Sequence, residues 1–266
     1  MGSVRPPAVA GAFYPAGADA LGAAVDELLA AEPATVDIQP VLLIVPHAGY
    51  VYSGPVAASA YRLLRETPLP RRRLVMVGPS HFVAVAGVAT PGVTGLATPL
   101  GVVAVDGELA AAAEAHPVVA PQPAAHAPEH SLEVQLPFLQ RVVGECAVLP
   151  LLTGKVDPDD VADVLDAALD FDGVMAVIST DLSHYLGYAA ARRRDAATAR
   201  AIVELRSDDV EWEDACGRTG LQAGLLVAKR RSWVCRLLDL RNSGDTAGDP
   251  GRVVGYGAFA LGPMTA

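Results

Sequence analysis

Three histidines stand in the same local setting. Val41-Leu-Leu-Ile-Val45 runs into Pro46-His47-Ala48-Gly49-Tyr50. Leu74-Val-Met-Val77 runs into Gly78-Pro79-Ser80-His81, and Val174-Met-Ala-Val-Ile178 runs into Ser179-Thr180-Asp181-Leu182-Ser183-His184. A short, continuous block of branched apolar residues fits a central parallel strand covered on both faces. Pro46 ends the first ladder because it has no N–H to donate, and Gly49 suits a tight turn. Each histidine then lies past the C-terminal end of a strand, where open α/β sheets bind ligands. If the strands are parallel, three imidazoles project from one sheet edge. Two neutral imidazoles and one anionic ligand make a site for a divalent transition metal with open positions. The third imidazole is a further ligand or a general base, because it titrates near neutrality.

Other groups extend this set. Asp181, three residues before His184, orients an imidazole or serves as a further polar group of the site, and capping a following helix is compatible with either role. Cys216, in Ala215-Cys216-Gly217-Arg218, precedes a helix; a thiol there, near an arginine, is expected to have a lowered pKa and to serve as ligand or nucleophile. Glu129 and Glu133 are one turn apart on an expected helix over 129–137, with His130 beside them and Pro137 as a break. That cluster is either half of a metal-binding helix or a helix start with acids favoured by the dipole. It lacks the H-E-x-x-H pattern. His116 and His126 fall in Pro/Ala-rich loop surroundings and read as structural or exposed. Cys146 and Cys235 adjoin apolar strands and read as buried and inert.

The elements that must position these groups alternate. Apolar spacing predicts helices over 19–31, 53–64, 107–115, 157–169, 188–205 and 221–230, with further strands over 147–152, 234–240 and 253–261. Short apolar pieces broken by Gly and Pro over 83–106 predict hairpin-like β structure, and 117–128 reads as a Pro-rich loop. The pattern is α/β: a single domain, 1–266, with a central mainly parallel or mixed sheet flanked by helices on both faces.

Composition bounds the function. The 266 residues are 52% hydrophobic, and mean hydropathy is +0.32, so a sizeable core can be buried. No run approaches the roughly 18 apolar residues that a membrane span needs. Met1 to Pro7 lacks a basic segment followed by an apolar one, so a cytoplasmic protein is expected. A net charge of −10 argues against nucleic-acid binding. The arginine runs at 71–73 and 192–194 read as solvated or ion-paired. Three scattered cysteines read as free thiols. No dinucleotide or triphosphate glycine motif follows a strand, and no G-x-S-x-G elbow is present.

Taken together, Pro46-His47-Ala48-Gly49-Tyr50, Gly78-Pro79-Ser80-His81, Glu129-His130-Ser131-Leu132-Glu133, Ser179 to His184 and Cys216-Gly217-Arg218 resemble the Memo family. Its bacterial and archaeal members are also called AmmeMemoRadiSam system protein B. The resemblance runs from Ala8-Val-Ala-Gly-Ala-Phe-Tyr-Pro15 to Gly255-Tyr256-Gly257-Ala258. The family is similar in structure to the class III extradiol dioxygenases, which are non-haem iron enzymes. The resemblance implies that catalytic fold, His47, His81 and Cys216 as metal ligands, and His184 as the match to the dioxygenases' catalytic histidine. It also implies that Glu129, His130 and Asp181 line the cleft, and that radical-SAM and AMMECR-type proteins are partners. Cys216 stands where the dioxygenases have a carboxylate. A thiolate softens the site, with Fe(II) first and copper or zinc as alternatives. It is also oxidisable.

Three functions follow as expectations. The first is a dioxygenase-like iron oxidoreductase, the second a non-catalytic protein that binds metal or a partner, and the third metal-assisted hydrolysis. Each takes a small molecule or peptide in the cleft. His47→Ala or His81→Ala is expected to abolish metal binding at little cost in stability, both residues lying on exposed loops.

Overall fold

The computed structural model describes residues 2–65 and 72–265, so Arg71 of the first arginine run lies outside the described residues. The strands are β1 (Val4–Arg5), β2 (Leu42–Val45), β3 (Arg73–Pro79), β4 (Val88–Thr90), β5 (Gly95–Thr98), β6 (Gly101–Val105), β7 (Val119–Pro121), β8 (Ala147–Thr153), β9 (Val174–Ser179), β10 (His184–Leu186), β11 (Val234–Asn242) and β12 (Val253–Gly262). The helices are α1 (Ala18–Leu29), α2 (Tyr50–Tyr61), α3 (Gly107–Glu114), α4 (Pro123–His126), α5 (Leu136–Val142), α6 (Pro158–Leu169), α7 (Tyr188–Val203) and α8 (Arg218–Arg230).

Among the described residues the strands form one mixed sheet in the order β1-β5-β6-β8-β3-β9-β2-β12-β10, with β11 on β12, and β4 between β7 and β8. Its centre is parallel: β9 pairs in parallel with both β3 and β2. Those three strands are the apolar blocks that carry the histidines, so their C-terminal ends do share one edge.

Alternation along the central strands sorts the core into two layers. Leu43, Val45, Leu74, Met76, Met175 and Val177 face α1, α2 and α5. Leu42, Ile44, Val75, Val77, Ala176 and Ile178 face α3, α6, α7 and α8. This is an α/β fold with helices on both faces of a mixed sheet. Among the described residues no helix is long and apolar enough to cross a membrane.

Several local expectations are corrected. The segment 129–137 is not one helix: a short 3-10 turn, Glu133–Gln135, leads into α5, and Pro137 lies in the first turn of α5, where its missing N–H costs nothing. The Pro-rich loop contains β7 and α4. Gly49 has φ −54° and ψ 147° ahead of α2, a conformation open to any residue. In the two arginine runs Arg73 pairs with Asp106 and Glu108, and Arg194 with Asp214, in line with the ion-paired reading.

Candidate metal centre

His47 follows β2 after Pro46 and is buried. Its backbone N–H donates to Asp181 Oδ1 at 2.7 Å, its Nδ1 lies 2.9 Å from Ser179 Oγ, and its Nε2 lies 3.2 Å from Cys216 Sγ. Register explains the contact, because Val45 and Ser179 are partners on β2 and β9. Burial, then the neighbouring His81, pushes the His47 imidazole down to about 3, so it is neutral. His47 is therefore not on an exposed loop, and replacing it removes a buried hydrogen bond as well as a candidate ligand.

His81 lies beyond β3 and is exposed. Its backbone N–H donates to Glu129 Oε2 at 2.6 Å, and its Nδ1 lies 2.9 Å from Glu129 Oε1. Gly78 allows the approach, since a Cβ there would sit 2.8 Å from Leu132 Cδ2. Glu129 also accepts the backbone N–H groups of His130 and Ser131, each at 2.9 Å. Burial acts to raise the Glu129 carboxyl, but the hydrogen bonds from His81 and Ser131 outweigh it and bring it to about 2. An ionised carboxylate only accepts, so His81 Nδ1 carries a proton and its remaining nitrogen, Nε2, is the one available to a metal. A histidine donating to a carboxylate in this way is the usual support of a metal-bound imidazole.

Cys216 lies two residues ahead of α8. Gly217 brings it close to β9: a Cβ at 217 would sit 2.7 Å from Ser179 O. The sulfur accepts the Asp181 N–H at 3.3 Å. The expected lowering of the thiol pKa is overturned. Burial, then the Asp181 charge, pushes Cys216 up to about 12. Cys216, His47 and Ser179 thus have the outline of a nucleophile, base and orienting group, but both reacting groups are held neutral. A cation on the sulfur would displace the proton; His47 would not. Cys146 and Cys235 are also pushed up, to about 11 and about 12, by burial.

His47, His81 and Cys216 offer ligand atoms that all lie within 4.8 Å of one another. A second such group, His81, Glu129 and His130, fits a metal less well, because the Glu129 oxygens are already committed to four N–H donors. His130 stacks on His81 with ring centroids 4.8 Å apart and lies against Phe13 and Phe82. Its Nδ1 is 3.2 Å from Glu129 Oε1, yet it has no hydrogen-bond geometry to any described group. Burial and then His47 lower the His130 imidazole to about 4.

Asp181 neither caps a helix nor holds an imidazole; it fixes the His47 backbone, and burial raises its carboxyl. His184 starts β10 and borders, with His47, His81, His130 and Asp181, a cleft of about 560 Å³ whose outer wall includes Tyr185 and Arg252. Cys216 is not on that wall; its sulfur sits beneath it against His47. Not legible from the sequence are the roles of Ser179, which meets His47, of Gln135 and Ser131, which hold Ser179, and of Arg5. Polar residues ending an apolar strand (Ser179) or opening an apolar helix (Gln135) were the available signals. His126, read as structural or exposed, is buried with Nε2 2.9 Å from Ala89 O.

A family model described as Memo-like protein matches residues 5–260. A MEMO1 family protein of Aquifex aeolicus is 36% identical over 95% of this chain and 97% of its own length. One of Methanopyrus kandleri is 36% identical over 97% and 98%, and one of Archaeoglobus fulgidus is 35% identical over 97% and 99%.

Proposed function

This chain belongs to the Memo-like protein family, and from that premise we propose a metal-binding protein centred on His47, His81 and Cys216. We propose further that the centre serves a dioxygenase-like oxidoreductase with Fe(II), ahead of copper or zinc, acting on a small molecule or peptide in the cleft. One observation carries the reading. Both imidazoles are tied at Nδ1, one to Ser179 and one to Glu129, which leaves Nε2 as the free nitrogen of each ring, and the two histidines and Cys216 offer ligand atoms within 4.8 Å of one another. The donor set fits a borderline-soft metal, two imidazoles with one thiolate. Iron bound there supplies a Lewis acid with open coordination positions and a redox change.

The chain's own residues do the rest. Glu129 and Ser179 aim the ligands. His184 and the neutral His130, on the cleft wall, can each take a proton from a bound ligand. Burial of His47, 2% exposed and in contact with the sulfur, restricts water there. A second reading, a centre that binds metal or a partner without turnover, draws on the exposed aromatics Phe82 and Tyr185 at the rim.

Elemental analysis of protein purified without added metal, with Cys216→Ser and His81→Ala alongside, tests the proposal. It expects about one metal per chain, lost in both variants. Full metal retention in both variants, or no metal even after anaerobic iron loading, overturns it. Oxygen uptake by the iron form with added phenols separates turnover from binding alone.

A further inference from the structure

We infer that Ser179, Gln135 and Tyr61 form a buried lock that holds His47 in one tautomer, with the proton on Nδ1 and the lone pair on Nε2. The consequence for metal affinity rests on the proposed centre; the tautomer itself does not.

The assignment follows from counting protons along the chain of hydrogen bonds. Gln135 Nε2 lies 3.0 Å from Pro46 O and 3.0 Å from Ser179 Oγ. A carbonyl oxygen can only accept, so this end of the amide is the NH2 group and both of its protons are committed. Gln135 Oε1 then accepts the Tyr61 hydroxyl at 2.9 Å. The single proton of Ser179 goes to the carbonyl of Ser131 at 2.6 Å. Ser179 therefore meets His47 Nδ1, 2.9 Å away, with a lone pair. The imidazole can complete that contact only by donating.

A neutral imidazole with Nδ1–H has a bare Nε2, the atom that faces Cys216 Sγ. The opposite tautomer would set two lone pairs against each other away from bulk solvent, since Ser131, Gln135, Ser179 and Tyr61 are all fully buried. Tyr61 is itself fixed by stacking on Phe138 at 5.0 Å. Ser179, Gln135 and Tyr61 act through His47 and are positioning residues.

The test uses the whole, metal-free chain with ¹⁵N-labelled histidine, reading the two ring nitrogens of His47 by NMR. The wild type is expected to show Nδ1–H alone. Ser179→Ala is expected to give a mixture or the Nε2–H form, and Ser179→Thr, which keeps the hydroxyl, to restore Nδ1–H. A merely structural role for Ser179 would change stability and leave the tautomer as it was. Wild type showing Nε2–H, or Ser179→Ala retaining Nδ1–H alone, overturns the inference; the wild-type spectrum decides it even if Ser179→Ala does not fold.

Co(II) titration against a competing chelator supplies the second readout. Ser179→Ala is expected to weaken binding by about 10–100-fold, the usual effect of removing a partner of a metal-bound imidazole, with recovery in Ser179→Thr. Unchanged Co(II) affinity in a Ser179→Ala protein that has lost Nδ1–H overturns the consequence. Failure of the wild type itself to bind Co(II) overturns the metal centre and leaves the tautomer result standing.

Discussion

Glu129 and Glu133 are four residues apart, their side chains are 2% and 0% exposed, and each accepts four hydrogen bonds from described residues, yet they head networks of opposite kinds. Glu133 takes Arg5 Nη1 at 2.6 Å, the N–H groups of Ala8 and Val9, and the Tyr14 hydroxyl. Arg5 spends its other donors on the carbonyls of His126 and Glu129. That network is closed: the charges cancel and the protons are used, so its product is the anchoring of the N-terminal segment. Among the described residues Glu129 takes only backbone N–H groups and an imidazole, without a lysine or arginine on its carboxylate. Its network opens through His81 onto His47 and Cys216, where nitrogen lone pairs converge with a sulfur. Equal satisfaction of two buried carboxylates therefore does not mean equal purpose. The one lacking a side-chain cation is the one that points at a site for a metal.

The comparison is most easily broken at Arg5. Arg5→Ala leaves Glu133 buried without its cation and is expected to cost about 3–5 kcal/mol in urea unfolding; a loss below about 1 kcal/mol would show that the closed network is not what anchors the segment. Glu129→Gln should act mainly on metal affinity, weakening it about 10–100-fold, with a smaller loss of stability than Arg5→Ala; chelator competition and urea unfolding on the same sample check this. The reverse ranking would merge the two networks into one structural unit.

Acid sharpens the contrast further. His126, on the closed side, is lowered by burial to about 4, against 6.5 unfolded. The unfolded chain then binds more protons between those values, so stability is present above pH 6.5 and is lost as pH falls toward 4. From pH 7.5 to pH 5 the wild type should lose about 2 kcal/mol more than His126→Gln, and equal losses would remove the buried-histidine account. Arg236→Gln, which breaks an exposed pair with Asp37, should leave the unfolding midpoint where it was; a measurable drop would show that exposed pairs count in this fold.

The strand-end histidines were legible because Pro46, Gly78 and Pro79 punctuate apolar blocks, a signal local to each segment. The parallel arrangement of their strands, on which that reading depends, is observed. The local setting of Cys216 marks it as a candidate ligand or nucleophile, but only the family resemblance joins it to His47 and His81, since spacing in sequence carries no information about a 3.2 Å contact. Arg5 was invisible for the same reason: its carboxylate lies 128 residues away. Glu129 and Glu133 misled because helical spacing put them on one face. The chain instead turns before α5, and the two side chains diverge. The thiol pKa is not legible locally, because a helix N-terminus and a nearby arginine argue for lowering it while the burial that raises it is set by distant parts of the chain.

The position of β9 between β3 and β2 has a consequence for how the chain is made. His47 and His81 leave the ribosome early, but the strand that sets their separation, and Ser179 with it, comes about a hundred residues later, and Cys216 later still. Pairings of such high sequence separation form slowly. The ligands can meet only after the last of the three central strands has inserted between the first two, so a nascent chain holds two of its three ligands without a frame to bring them together.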